Sequence, residues 1–176
     1  LISPVEPGTD NLVSYYALDG DFTDSVSGHN GTPMGTPAFV SDPVRGQVLT
    51  LDGFGSAADV PYTADLNPEA FTVSIWANPH PDGLGHRSPL TSRDDGPAKG
   101  YIIYLEPGNT WQYWTGGPGW KNTQGSPAVL DEWTHLGITY ADESPPSLAE
   151  YAAAIISQLK DMDLQLVLEP GRVLVG

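Results

Sequence analysis

The sequence predicts a mainly β protein, an antiparallel sandwich or jelly roll, followed by a C-terminal helix–strand appendage. Three observations predict it. Short apolar runs separated by turn clusters recur through residues 1–141, which hold all five Trp and every Gly except Gly171 and Gly176. Period-two alternation is clear in "FTVSIWA", where Phe71, Val73 and Ile75 fall on one side and Thr72, Ser74 and Trp76 on the other. No helical period longer than a turn occurs before residue 142, whereas 147–159 carry one.

In chain order the β-type runs are "NLVSYYAL" from Asn11, "GQVLTLDG" from Gly46 and "FTVSIWANP" from Phe71. They continue with "GYIIYLEP" from Gly100, "TWQYWTG" from Thr110 and "EWTHLGITY" from Glu132. Turn clusters "DGDFTDSVSGHNG", "HPDGLGH" and "RDDGPAKG" separate them, and the totals of 20 Gly and 17 Pro suit short strands joined by turns. Such spacing is that of an antiparallel sandwich. Beyond "ESPP" the grammar changes. Ser147 and Glu150 form a capping box, whose hydroxyl and carboxylate satisfy free amides at a helix start. Leu148, Ala152, Ile155 and Leu159 then share one face of a helix over 147–160. "KDMD" ends it, and "LQLVLE" follows as a strand apolar enough to be covered on both sides. The helix face is expected to dock on the open side of the β-domain, since otherwise it exposes an apolar stripe.

At 176 residues the chain holds one ordinary domain with a small addition, 1–141 and 142–176. Its formal charge of −15 argues against a nucleic-acid backbone as partner, which needs clustered Lys and Arg, and against an anionic membrane. With no Cys there is no disulfide framework and no thiolate zinc site. No apolar run is long enough to span a bilayer. The first residues, "LISPVEPG", carry neither an initiator Met nor a signal-peptide pattern, which reads as a processed or excised piece.

Residues 11–141 resemble laminin-G-like domains of the concanavalin-A-like jelly-roll class. The segments that carry the resemblance are "NLVSYYALDGDFTDSVSGHNGT", "GQVLTLDGFGSAADVP", "LNPEAFTVSIWANP" and "LDEWTHLGITYAD", in that order and spacing. The resemblance implies a two-sheet sandwich, typically extracellular or at the cell surface, that binds carbohydrate or a protein partner, sometimes with calcium. Such domains continue with a "LYVDG"-like hairpin and a closing strand; neither follows residue 141, so the sandwich is expected to be incomplete.

Residues 136–176 resemble a segment of diaminopimelate decarboxylase, a cytoplasmic pyridoxal-phosphate enzyme built on a (β/α)8 barrel. The match runs from "LGITYADESPPS" to "LEPGRVLVG", and "EPGR" is its specific element. By that resemblance Glu169, Gly171 and Arg172 sit near the cofactor, and Arg172 also meets a substrate carboxylate. A guanidinium fork suits phosphate or carboxylate. The glycine triplet that precedes "LGITY" in the family is replaced here by "DEWTH", and its Schiff-base lysine lies in a part of the barrel that is absent. "LGITYAD" therefore serves both resemblances, as if two coding sequences were joined there.

Among site candidates, "DGDFTD" gathers Asp19, Asp21 and Asp24, followed by Asn30, a carboxylate-rich loop of the kind that holds calcium or simply turns the chain. Asp52 and Asp59 are weaker oxygen donors. "WQYWTGGPGW" offers Trp114 and Trp120 at a glycine turn as sugar-stacking faces, with Gln112 and Asn122 to hydrogen-bond hydroxyls, while Trp111 and Tyr113 lie at core spacing. His80 and His86 read as a solvated loop and His135 as a structural histidine. No E-x-D-x-x-E element is present, and the adjacent Asp131 and Glu132 point to opposite faces, so no pair of carboxylates straddles a glycosidic bond.

The expectation is a non-catalytic module for carbohydrate or an extracellular protein, with calcium as optional cofactor and no catalytic residues of its own. Self-association through an open sheet edge or the 147–160 helix is the further partner expectation. The alternatives are a decarboxylase fragment needing pyridoxal phosphate, inactive as it stands, and a joined chain with no biological task.

Overall fold

The computed structural model describes residues 11–82 and 85–140. By its internal contacts the chain divides into Leu1–Thr139 and Tyr140–Gly176, and of the second unit Tyr140 alone is described. The expected helix at 147–160, the "LQLVLE" strand and Glu169, Gly171 and Arg172 lie outside the described residues.

Ten strands make up the described region, and no helix occurs in it. Their bounds are β1 Thr32–Met34, β2 Ala38–Asp42, β3 Gly46–Thr50, β4 Ala57–Asp59 and β5 Phe71–Ala77. The second half supplies β6 Arg87–Asp95, β7 Ala98–Leu105, β8 Thr110–Thr115, β9 Lys121–Pro127 and β10 Thr134–Tyr140. Strands β6-β7-β8-β9 form an antiparallel four-stranded sheet in sequence order. The pairs β1-β4, β2-β3 and β5-β10 are two-stranded. In the last, Thr72 meets Thr139 and Trp76 meets His135, so the two strands run in opposite directions.

The core lies between the four-stranded sheet and β5-β10. Ile103 and Leu105 of β7 and Trp111 of β8 pack with Ala77 of β5, and Val73, Ile75, Leu136 and Ile138 lie against them. Alternation explains this: every second residue of β5 is exposed, and the remainder turn to the core. Burial of Ile103 and Leu105, at 2% and 1% exposure, is worth about 1.5–3 kcal/mol each.

Three sequence expectations change. "NLVSYYAL" makes one isolated antiparallel bridge, Tyr16 to Asp24, and not a strand, because the Tyr15 amide goes to the Asp24 carboxylate. "RDDGPAKG" is not a long loop: β6 runs to Asp95 and β7 starts at Ala98, leaving Gly96 and Pro97 as the turn. β9 was hidden altogether, since all seven of its residues are exposed and no apolar period marks it.

Candidate functional site

Two faces of the four-stranded sheet have different chemistry. Cross-strand partners Ile103–Tyr113, Leu105–Trp111 and Leu90–Ile103 belong to the core face. The intervening residues form the outer face, where Ile102 pairs with Trp114 and Trp114 with Asn122, and Tyr104 pairs with Gln112. On this face lies a groove of about 290 Å³ lined by Arg93 and Asp95 of β6, Ile102 and Tyr104 of β7, Trp114 of β8, and Trp120, with His86 at its margin.

Each indole in the groove is held by its nitrogen. Trp120 Nε1 donates to Asp95 Oδ1 at 3.1 Å, and Arg93 Nη2 donates to Asp95 Oδ2 at 2.9 Å. Arg93 Nη1 donates to the Tyr104 hydroxyl at 2.6 Å. Trp114 Nε1 donates to Gln112 Oε1, and Gln112 Nε2 donates to Glu106 Oε2, both at 2.9 Å. The Glu106 carboxylate, an acceptor only, thereby fixes which end of the Gln112 amide faces Trp114. Tyr104 stands edge-on to Trp114 at 6.0 Å and to His86 at 5.2 Å. Aromatic faces fixed in this way form a platform whose ordering cost is met before a ligand arrives.

Of the four expected ligand contacts, Trp114 and Trp120 come together in the groove and exposed Asn122 stands opposite Trp114. Gln112 differs: it is 6% exposed and spent on Glu106 and Trp114, so it positions an indole from below. Arg93, Asp95 and Tyr104 had no part in the sequence reading. Their one sequence signal was a Gly-Pro turn after Asp95, which allows a tight hairpin and so places β6 beside β7.

In "DGDFTD" and after it, Asp21, Asp24 and Asn30 hold backbone amides. Among the described residues no group of three or more His, Cys, Asp or Glu is placed to hold a metal ion. Asp24 shows why. Its Oδ1 accepts the amides of Tyr15 and Val26 at 2.9 and 3.0 Å, and its Oδ2 accepts those of Ser27 and His29 at 3.3 and 3.0 Å. A carboxylate offers about four lone-pair positions, and these four amides use them. Asn30 Oδ1 accepts the Asp24 amide, and Asp21 Oδ1 accepts that of Thr23. Calcium needs free oxygens, and those of Asp24 are already taken by amides. Burial would push the Asp24 carboxyl up, but the amides of Tyr15, Val26 and His29 outweigh it and hold it at about 2. Asp52 is similarly used, its Oδ1 accepting the amides of Phe54 and Ser56.

His135 Nε2 lies 2.6 Å from the Ser74 hydroxyl, with its ring 4.9 Å from that of Trp76. His80 is largely exposed. Trp111 is buried in the core, and Tyr113 packs against it.

Comparison with known proteins gives two kinds of match. A laminin-G family model, described as the concanavalin A-like lectin/glucanases superfamily, matches residues 52–148. Diaminopimelate decarboxylase of Haemophilus influenzae is 46% identical over 46 residues, 26% of this chain and 11% of that enzyme. The enzyme of Vibrio cholerae is 46% identical over 48 residues, 27% of this chain and 12% of its own length. That of Pseudomonas aeruginosa is 48% identical over 47 residues, 27% and 11% respectively. The chain thus spans about a tenth of the length of the curated relatives it matches. No solved structure gives a match.

Proposed function

Because the chain belongs to the concanavalin A-like lectin/glucanase superfamily, we propose that its β-domain is a non-catalytic module that binds carbohydrate on the outer face of the β6–β9 sheet. The observation that carries this is the pair Trp114 and Trp120, two indoles in one groove with both ring nitrogens already held. Their faces remain for stacking on sugar rings, and Asn122 and the Tyr104 hydroxyl supply polar contacts at the side. Tyr104 accepts from Arg93, so its own proton is free for a ligand oxygen.

The groove does not have the layout for glycoside hydrolysis. That reaction needs two carboxylates about 5–9.5 Å apart across the scissile bond. Asp95 is the groove's carboxylate, and both its oxygens are engaged by Arg93 and Trp120. An extracellular setting suits such a module.

Affinity electrophoresis through gels containing soluble polysaccharides tests the proposal. The intact chain is expected to be retarded by at least one of them, and Trp114→Ala and Trp120→Ala to weaken binding about tenfold each, roughly 1.4 kcal/mol. Phe54→Ala, at an 88% exposed residue outside the groove, should change nothing. Unchanged mobility in every polysaccharide would reject a glycan ligand and leave an extracellular protein as the partner class.

The decarboxylase similarity favours a second reading, in which the C-terminal part derives from a pyridoxal-phosphate enzyme. The reading expects Glu169, Gly171 and Arg172 near that cofactor, without the lysine that would bind it covalently. Mixed with pyridoxal phosphate, the chain is then expected to develop no Schiff-base absorbance that survives dialysis. A stable yellow adduct would show a lysine of this chain doing that work.

A further inference from the structure

Three arginines lie among the described residues, and one differs from the others. Arg87 donates to the His80 carbonyl and to Asn109 Oδ1, and Arg93 donates to Tyr104 and Asp95. The Arg45 side chain, in the turn between β2 and β3, donates no hydrogen bond to another described residue, though its charge interacts with the Asp42 carboxylate; its Nε, like that of Arg87, is buried with no hydrogen-bond partner among the described residues. It is nevertheless firmly placed. Its central carbon lies 3.6 Å from the ring centroid of Trp76 and 5.3 Å from that of Trp133. Asp42 holds both sides of the arrangement, with Oδ1 accepting the Arg45 amide at 2.8 Å and Oδ2 accepting Trp133 Nε1 at 3.2 Å.

A guanidinium over a ring face keeps in-plane N–H groups for other partners, and with Nε buried it is the Nη1–Nη2 edge that can meet carboxylate or sulfate in two-pronged fashion. Around it, the outward side of β5-β10 presents hydroxyls and an imidazole: Ser74 bonded to His135, and Thr72 bonded to Thr139. Trp76 is 44% exposed beside them. We infer that Arg45, with Trp76 and His135, forms a second site, distinct from the β6–β9 groove, that takes the carboxylate of an acidic saccharide. The fork binds the carboxylate, and the hydroxyl row faces the sugar's own hydroxyls. In a chain of net charge −15, an anion is held only where a cation meets it directly, and the neighbouring Asp42 carboxylate already draws on the Arg45 charge, so binding here should weaken as salt rises.

Glucuronate titrated into the intact chain, followed by tryptophan fluorescence, tests the site, with glucose as the neutral control. A saturable, salt-sensitive change with glucuronate and none with glucose is expected. Arg45→Lys keeps the charge but loses the fork and should bind at least tenfold more weakly, with its thermal midpoint measured alongside. Arg45→Gln should show no saturation; should it fail to fold, the lysine variant decides. Equal response to glucose, or undiminished affinity in the lysine variant, overturns the inference. Equal saturation by N-acetyl-aspartate amide overturns the saccharide assignment, leaving an acidic protein side chain in its place.

Discussion

Asp24 does with hydrogen bonds what a bound cation does in many loops: it gathers backbone groups from Tyr15, Val26, Ser27 and His29 around one point. Its carboxyl lies at about 2 in the folded chain against an ordinary 3.8, a difference worth about 2.5 kcal/mol of stability at neutral pH. Replacing it with alanine leaves those amides unmatched, so Asp24→Ala should lower stability by about 2 kcal/mol or more in urea melts at pH 7. The sign with pH follows from the depressed value. The contribution is present above the unfolded pKa and lost as pH falls through the folded one, so wild type and variant should converge between about pH 4 and pH 2. A constant gap across that range would mean that Asp24 acts through packing alone.

Strands differ in how visibly they are written. β5 and β7 alternate or run apolar because one side meets the core, and their residues can be placed by eye in "FTVSIWA" and "GYIIYLEP". The aromatic pair Trp114 and Trp120 was legible too, from its glycine turn. Arg93, Asp95 and Tyr104 were not, since they join the groove only through register across β6 and β7, a long-range property with no local period. The Gln112 error has the same origin: its neighbour Glu106 lies beyond a turn, and only pairing shows that the amide is already taken. Within β7, Gly100 has φ +83°, and a Cβ there would meet the Ser92 carbonyl. The β6-β7 hairpin depends on that close approach. Gly100→Ala should therefore cost about 3 kcal/mol or more, combining left-handed backbone strain with a backbone clash, and a calorimetric melt would register it. Leu105→Ala, which empties a 1% exposed core position, should cost about 2–5 kcal/mol by the same measurement.

For the whole molecule, acid is the condition that reaches furthest. Among the described residues, three carboxyls besides Asp24 lie below their ordinary value. At Asp42 desolvation acts upward, but the Val44 and Arg45 amides and the Trp133 indole prevail. Asp52 is lowered by the Phe54 amide and then by Ser56, and Asp65 first by its hydrogen bond to His29. All contribute stability above the unfolded carboxylate range and lose it as pH falls below that range. A cooperative loss of near-ultraviolet circular dichroism below about pH 4 is expected. Because most of these partners are backbone amides rather than opposite charges, moderate salt should move the midpoint little. The family match and the decarboxylase similarity occur in the same chain, and "LGITYAD" lies within the family match. Its first five residues, Leu136–Tyr140, lie in β10, with Leu136 and Ile138 packed against the β-domain core.

β9 lends this architecture a different kind of freedom. Its place in the sheet depends on main-chain pairing with β8, and its seven residues are all exposed and outside the core cluster. One of them, Asn122, is the cross-strand partner of Trp114. Substitutions along Lys121–Pro127, Gly125 excepted because a Cβ there would crowd Trp111, can therefore change this surface while sparing the core, which makes the strand a place where a lineage can drift without passing through unfolded intermediates.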